Sequence, residues 1–285
     1  MTGSKGACRR FGLCLSWVRF PVDLTFAGAT ITQKARLVRQ KQEAPVSGSG
    51  IQLSSVCIDR GDKRVVEDIS ADLQAQRIGI IGRNGSGKSS LLRALNGLLP
   101  VSSGRIRVHG IGEDDRKNLS RVAGFVFQNP DHQLIFPTAL EEVAFGLRQL
   151  GSDKKTASRQ ASAYLAEHGC SRFAEEPVHQ LSEGQKQLIC ILSILIMEPK
   201  VLLLDEPFSS LDHVTRHILL KKLESLPQQV IFVSHELGAL RAFDEVVLLE
   251  DGRLTAKGPP AEVIDAYLEA ELAEAERRSL LAEAL

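Results

Sequence analysis

Residues 82–89 read Gly-Arg-Asn-Gly-Ser-Gly-Lys-Ser, and the run Arg77-Ile78-Gly79-Ile80-Ile81 leads straight into them. A short buried strand, a glycine-rich turn and a helix beginning near Leu91-Leu92-Arg93-Ala94 form the context in which such a loop binds phosphate. Few chains can accommodate it otherwise. The backbone N–H groups of the loop converge on one point, and the helix that follows aims the positive end of its dipole there. Gly82, Gly85 and Gly87 permit positive φ and close approach to a ligand. Arg83, Asn84, Ser86 and Ser90 complete the stretch expected to surround a nucleotide triphosphate. Lys88 is expected to reach the β- and γ-phosphates, and the Ser89 hydroxyl to hold Mg²⁺.

A second signal lies downstream. Val201-Leu202-Leu203-Leu204 is a four-residue apolar run that ends on Asp205-Glu206. In parallel α/β sheets, ligands bind at the carboxyl ends of strands. Asp205 then suits Mg²⁺, as the partner of Ser89. Glu206 is placed to orient or deprotonate an attacking water.

Between and beyond these motifs the chain alternates strand and helix patterns. Ile51–Ile58 and Val65–Leu73 read as an antiparallel β edge. Ile78–Ile81, Arg105–Val108, Val122–Phe127, Val201–Leu204, Val230–Ser234 and Val246–Leu249 read as further strands. Thr138 to Cys170 reads as mostly helical, as do Gly184–Met197, His213–Leu226, Glu236–Phe243 and the tail from Ala261, whose acidic face is expected to be solvated. Asp251-Gly252 is a tight-hairpin signal. The alternation predicts an α/β fold with a mainly parallel sheet.

Residues 1–50 differ from the rest. Lys5, Arg9, Arg10, Arg19, Lys34, Arg36, Arg39 and Lys41 stand against Asp23 and Glu43 before position 44, and Pro45-Val46-Ser47-Gly48-Ser49-Gly50 reads as a linker. This predicts a basic, disordered extension. Cys8-Arg9-Arg10-Phe11 faintly suggests a twin-arginine signal, but Arg19 and Asp23 interrupt the apolar stretch behind it. The net charge of the chain is zero, so nothing in it calls for nucleic acid. Five scattered cysteines without a Cys-x-x-Cys pair are expected to be reduced thiols. No apolar stretch is long enough to span a bilayer.

Leu181-Ser182-Glu183-Gly184-Gln185 precedes the Lys186–Met197 helix. With Gln128 after a strand, Ser209-Ser210-Leu211-Asp212 after Glu206, and His235 after a strand, the set resembles the ATP-binding cassette (ABC) family from about Ile51 to Gly258. The resemblance implies a P-loop NTPase of the ABC ATPase fold: a mainly parallel sheet core, an antiparallel β edge and an α-helical subdomain at about 130–181. The ABC ATPase domain would then run over 51–258, with a helical tail at 259–285.

It further implies two cassettes, identical or not, that sandwich ATP head to tail. Ser182, Gly184 and Gln185 would close on nucleotide held by the other subunit. His235 would contact the γ-phosphate, Gln128 would sense Mg²⁺ and the attacking water, and Asp212 would bridge the subunits. Two positions depart from the family pattern. Glu183 stands where glycine is usual, and Arg60 stands where an aromatic residue usually stacks on adenine. A guanidinium plane can stack in its place.

Gln128-Asn129-Pro130-Asp131-His132-Gln133-Leu134 and Glu141-Glu142-Val143-Ala144-Phe145-Gly146-Leu147 resemble the energy-coupling-factor branch, importers of vitamins and metal ions. Arg77–Asn84 resembles the biotin-uptake members of that branch, with cobalt and nickel importers next. The expected partners are a second ATPase subunit, an integral membrane coupling subunit and a vitamin-binding membrane subunit. The expected place is the cytoplasmic face of the bacterial inner membrane. A coupling helix would sit in a groove formed between Gln128 and Leu150. Only 93 residues separate Lys88 from Ser182, too few for the long coiled coil of DNA-repair cassettes. A soluble, non-transport cassette is the rival class.

Overall fold

The computed structural model describes residues 50–283. The basic extension, its arginine pair and the linker up to Ser49 lie outside the described residues.

Two sheets and a helical unit surround the phosphate loop. The first strands are long and alternate in burial: β1 (Ile51–Arg60) and β2 (Lys63–Leu73) pair antiparallel through the Gly61-Asp62 turn. β4 (Ser103–Val108) joins the other side of β1, and the two-residue β5 (Ile111–Gly112) closes the order β2-β1-β4-β5. The expected antiparallel edge is thus a sheet of its own.

The second sheet has the order β10-β9-β3-β8-β7-β6. Its central strands are short and apolar because both faces are covered. β3 (Arg77–Ile81), β7 (Val201–Asp205) and β8 (Gln229–Val233) are buried at every residue. β6 (Ala123–Val126) and β9 (Glu245–Glu250) flank them in parallel, and β10 (Arg253–Gly258) returns antiparallel on β9. Asp251 and Gly252 make that return with φ of 46° and 80°, the pair of positive values that a type I′ turn requires.

The strand period of two divides the core. Val201 and Leu203 face the antiparallel sheet and α1 (Lys88–Leu95), with Ile78, Ile80, Leu91 and Leu92. Leu202 and Leu204 face the other way, toward α5 (Glu183–Leu195), α6 (His213–Glu224), α7 (Leu237–Leu240) and Ile264 of α8 (Pro260–Glu283). A third cluster joins α3 (Ala139–Gln149) and α4 (Lys154–Glu167) to Ile189 and Leu192 of α5.

Three local features differ from expectation. The helical stretch after Thr138 is two helices, because Gly151 takes φ of 104° and Asp153 caps α4 through Lys155 N and Thr156 N. A further helix, α2 (Arg116–Val122), precedes β6. The acidic side of α8 is only partly left to water: Asp265 pairs with Arg241, and Glu271 pairs with Arg83 of the phosphate loop.

Candidate nucleotide site

The loop between β3 and α1 is shaped by its glycines. Gly82, Gly85 and Gly87 have φ of 140°, 83° and 100°. At Gly82 a Cβ would lie 2.0 Å from the Leu249 carbonyl oxygen, a backbone atom that cannot step aside. Gly82→Ala is therefore expected to lower stability by at least about 2 kcal/mol, combining overpacking with left-handed strain. Thermal unfolding of the purified variant measures it, and an unchanged midpoint would disprove the crowding argument.

Lys88 is buried, and its ammonium donates to the carbonyls of Gly82 (2.7 Å) and Arg83 (2.9 Å). Burial pulls its pKa below the ordinary lysine value, while Glu206 and Asp205 pull it back. The Ser86 hydroxyl is buried without a hydrogen-bond partner. An orphaned hydroxyl inside a loop of this shape fits a ligand that supplies acceptor oxygens. Ser90 is buried in the first turn of α1, while Arg83, Asn84 and Gly85 are exposed at the mouth.

The carboxyl end of β7 meets the loop directly. Ser89 Oγ donates to Asp205 Oδ1 at 2.8 Å, and Arg93 stands 3.9 Å from the other carboxylate oxygen. A hydroxyl beside a buried carboxylate is a hard-oxygen donor set that fits Mg²⁺. Glu206 follows with φ of 50°, the left-handed region that a side chain rarely adopts. Its N–H donates to Val233 O at 3.1 Å. This turn places Glu206 Oε1 2.9 Å from His235 Nε2. Gln128 Nε2 lies 3.5 Å from both Glu206 Oε2 and Ser209 Oγ. A carboxylate, an imidazole and an amide thus converge beside the loop, an arrangement able to hold and deprotonate one water.

The remaining predicted residues stand apart from this cluster. Arg60 is exposed at the end of β1. Ser182 caps α5: it receives a bond from Gln185 N (3.3 Å) and donates its own N–H to the Gln185 side chain (2.8 Å). Gly184 lies against α6, where a Cβ would sit 2.6 Å from Thr215 Cγ2. Asp212 caps α6 through Val214 N and Thr215 N, both at 3.0 Å. Glu183 turns toward Lys186 (3.4 Å), which also binds Asp131 at 2.8 Å. Its charge is thereby offset within the chain.

A cleft of about 460 Å³ opens beside Gln133, Glu142, Phe145 and Leu150. Its other wall comes from Lys117 and Arg121 of α2, which the motifs did not reveal. Ile135 is 69 % exposed on its rim. Phe136 and Phe145 do pack together, with ring centroids 4.8 Å apart, yet Phe145 still lines the cleft. The buried carboxylate of Glu142 accepts from Ile135 N and Phe136 N (both 2.9 Å) and so ties the cleft's rim to α3. Burial raises its pKa, and those two N–H groups act against the rise. No helix among the described residues is long and apolar enough to cross a membrane.

Known proteins resemble this chain in sequence and in fold. The sequence profile of the family described as "ABC transporter" matches residues 66–209. The biotin transport ATP-binding protein BioM of Rhodobacter capsulatus is 43% identical over 221 residues, covering 77% of this chain and 94% of its own. The energy-coupling factor transporter ATP-binding protein EcfA1 of Caldanaerobacter subterraneus is 34% identical, over 73% of this chain and 79% of its own. Among solved structures, cbiO1 of Clostridium perfringens, part of the ABC transporter complex cbiONQ, superposes with a TM-score of 0.68 at 28% identity, over 76% of this chain and 91% of that one.

Proposed function

This chain belongs to the ABC transporter family as its ATP-hydrolysing, transport-coupled subunit, and from that premise we propose that it drives an energy-coupling-factor importer whose cargo is biotin. One observation carries the reading of the site. Gln128, Glu206 and His235 gather near Lys88 of the phosphate loop, while Ser182 and Gly184 line a separate cavity at the N-terminus of α5. A helix N-terminus with a hydroxyl and a bare glycine suits an anion, and a second cassette turned head to tail would bring its bound γ-phosphate there. Both subunits then complete each other's site.

In this reading the loop amides from Gly82 to Ser90 and Lys88 hold the phosphates. Ser89, Asp205 and Gln128 hold Mg²⁺, which when bound neutralises charge developing on the phosphate oxygens. Glu206 takes the proton of the attacking water, and His235 fixes Glu206 in place. Asp212 lies where the subunits meet. Catalysis is then mainly positioning and electrostatic stabilisation. The domain limits, 51–258 with a helical tail behind, follow from the same reading.

Arg60 would stack on adenine. Base stacking on a flat side chain contributes about 1–3 kcal/mol. Arg60→Ala is expected to weaken ATP binding by about fivefold to a hundredfold, as measured by equilibrium titration. Affinity that stays unchanged would remove Arg60 from the site.

The cleft between α2 and α3 would seat a helix of the membrane coupling subunit, which places the chain peripherally on the cytoplasmic face of the inner membrane. The biotin assignment is supported by the relative named for biotin transport at 43% identity. Co-expression with candidate coupling and vitamin-binding membrane subunits tests the whole. The complex should purify from membranes as one species and take up biotin only when ATP is hydrolysed. Uptake of cobalt or nickel in its place would move the cargo to the second reading. A chain that stays in the soluble fraction without a membrane partner would favour a non-transport cassette.

A further inference from the structure

One arginine joins the turn that carries Glu206 to the turn that carries His235. Arg216 stands on the second turn of α6, and its side chain is only 14% exposed. Its Nε donates to Phe208 O at 3.4 Å and its Nη2 to Leu211 O at 2.7 Å. Its Nη1 pairs with Glu236 Oε1 at 2.5 Å and lies 3.5 Å from His213 Nδ1. Phe208 and Leu211 bracket the Ser209-Ser210 turn just after Glu206. Glu236 directly follows His235. Arg216 shares with Glu206, Ser209 and His235 a cavity of about 240 Å³.

The geometry gives this contact a purpose. Glu206 is held at a φ of 50°, a conformation that persists only when its surroundings over-determine it. Its segment and that of His235 leave neighbouring strands, β7 and β8, whose last backbone link is the Glu206 N–H to Val233 O bond at 3.1 Å; beyond it Arg216 is the side chain that joins the two turns. A guanidinium has donors diverging in one plane and keeps its charge when buried, so it can serve two carbonyls and a carboxylate at once. Lysine cannot reach all three.

We propose that Arg216 is a positioning residue for ATP hydrolysis: it clamps the turn after Glu206 to the segment of His235, so that carboxylate and imidazole stay 2.9 Å apart. It does so without touching nucleotide. The inference rests on the roles of Glu206 and His235 proposed above.

The test compares Arg216→Gln, Arg216→Lys and Glu236→Gln with the native chain, with Glu206→Gln as control. Turnover is counted per folded molecule and ATP affinity is measured separately. A displacement of about 1 Å at reacting groups costs about a hundredfold in rate. Arg216→Gln is expected to lose at least about tenfold in kcat with KM for ATP unchanged. Arg216→Lys should regain part of that loss. Glu236→Gln alters a 42% exposed carboxylate and should fold normally. It should lower kcat less than Arg216→Gln, again with KM unchanged. If both Arg216→Gln and Glu236→Gln keep kcat within twofold of native, or if kcat and ATP affinity fall together, the clamp is wrong. If Glu206→Gln itself keeps native turnover, the failure belongs to the reading of Glu206 and not to the clamp.

Discussion

Glu206→Gln is expected to bind ATP with native affinity and to hydrolyse it about a hundred- to ten-thousandfold more slowly, the range lost with a positioned general base. The substitution keeps size and shape, so an amide oxygen can still accept from His235 Nε2 where the carboxylate does at 2.9 Å. Only the basicity is removed. Asp205 cannot take over, because it is buried and engaged by Ser89 at 2.8 Å. Nucleotide contacts on the loop are untouched, so the bound state persists and a two-subunit species should accumulate with Mg²⁺ and ATP. Phosphate release under single turnover, together with size-exclusion chromatography, reads both halves of the result. Native turnover in this variant would take Glu206 out of catalysis.

Much of this site was legible before folding, for a physical reason. The strands that carry it are buried on both faces, so they appear as bare apolar runs, and the polar residues that end each run mark the ligand edge of the sheet. Val201–Leu204 with Asp205-Glu206, and Ile78–Ile81 with the glycine loop, are readable on that ground alone. The helix after Arg116 was not, since Leu119 is its only buried residue and leaves no amphipathic stripe. The break between α3 and α4 was written in Gly151 and Asp153, but helical composition on both sides hid it. Two strands near the N-terminus show as an antiparallel pair, but period-two alternation does not name their further partners. Whether they extend the parallel sheet or face it depends on contacts to β4, about fifty residues away in the chain. Arg216 lay beyond reach for the same reason. It belongs to no motif, and its role appears only when residues 208, 211 and 236 are brought to one guanidinium.

Lys88→Ala should abolish measurable nucleotide binding and, in the assembled transporter, uptake. The Lys88 ammonium donates to the carbonyls of Gly82 and Arg83. These bonds hold it inside the loop, where burial pulls its pKa below the ordinary lysine value and Glu206 and Asp205 act against that. Charge-assisted hydrogen bonds contribute about 1.5–3 kcal/mol each, so losing two to phosphate oxygens should weaken ATP affinity by about a hundredfold or more. The variant also strands two carbonyls, at about 1–3 kcal/mol for each that water cannot reach, so its thermal midpoint should fall as well. Lys88→Arg separates charge from shape. It retains the charge, but its larger planar head does not fit the space left by a buried ammonium, so ATP affinity and the thermal midpoint should both stay below native. Equilibrium titration with a fluorescent ATP analogue, run beside thermal unfolding on both variants, gives the two readouts. Uptake at the native rate with Lys88→Ala would show that some other subunit is the motor.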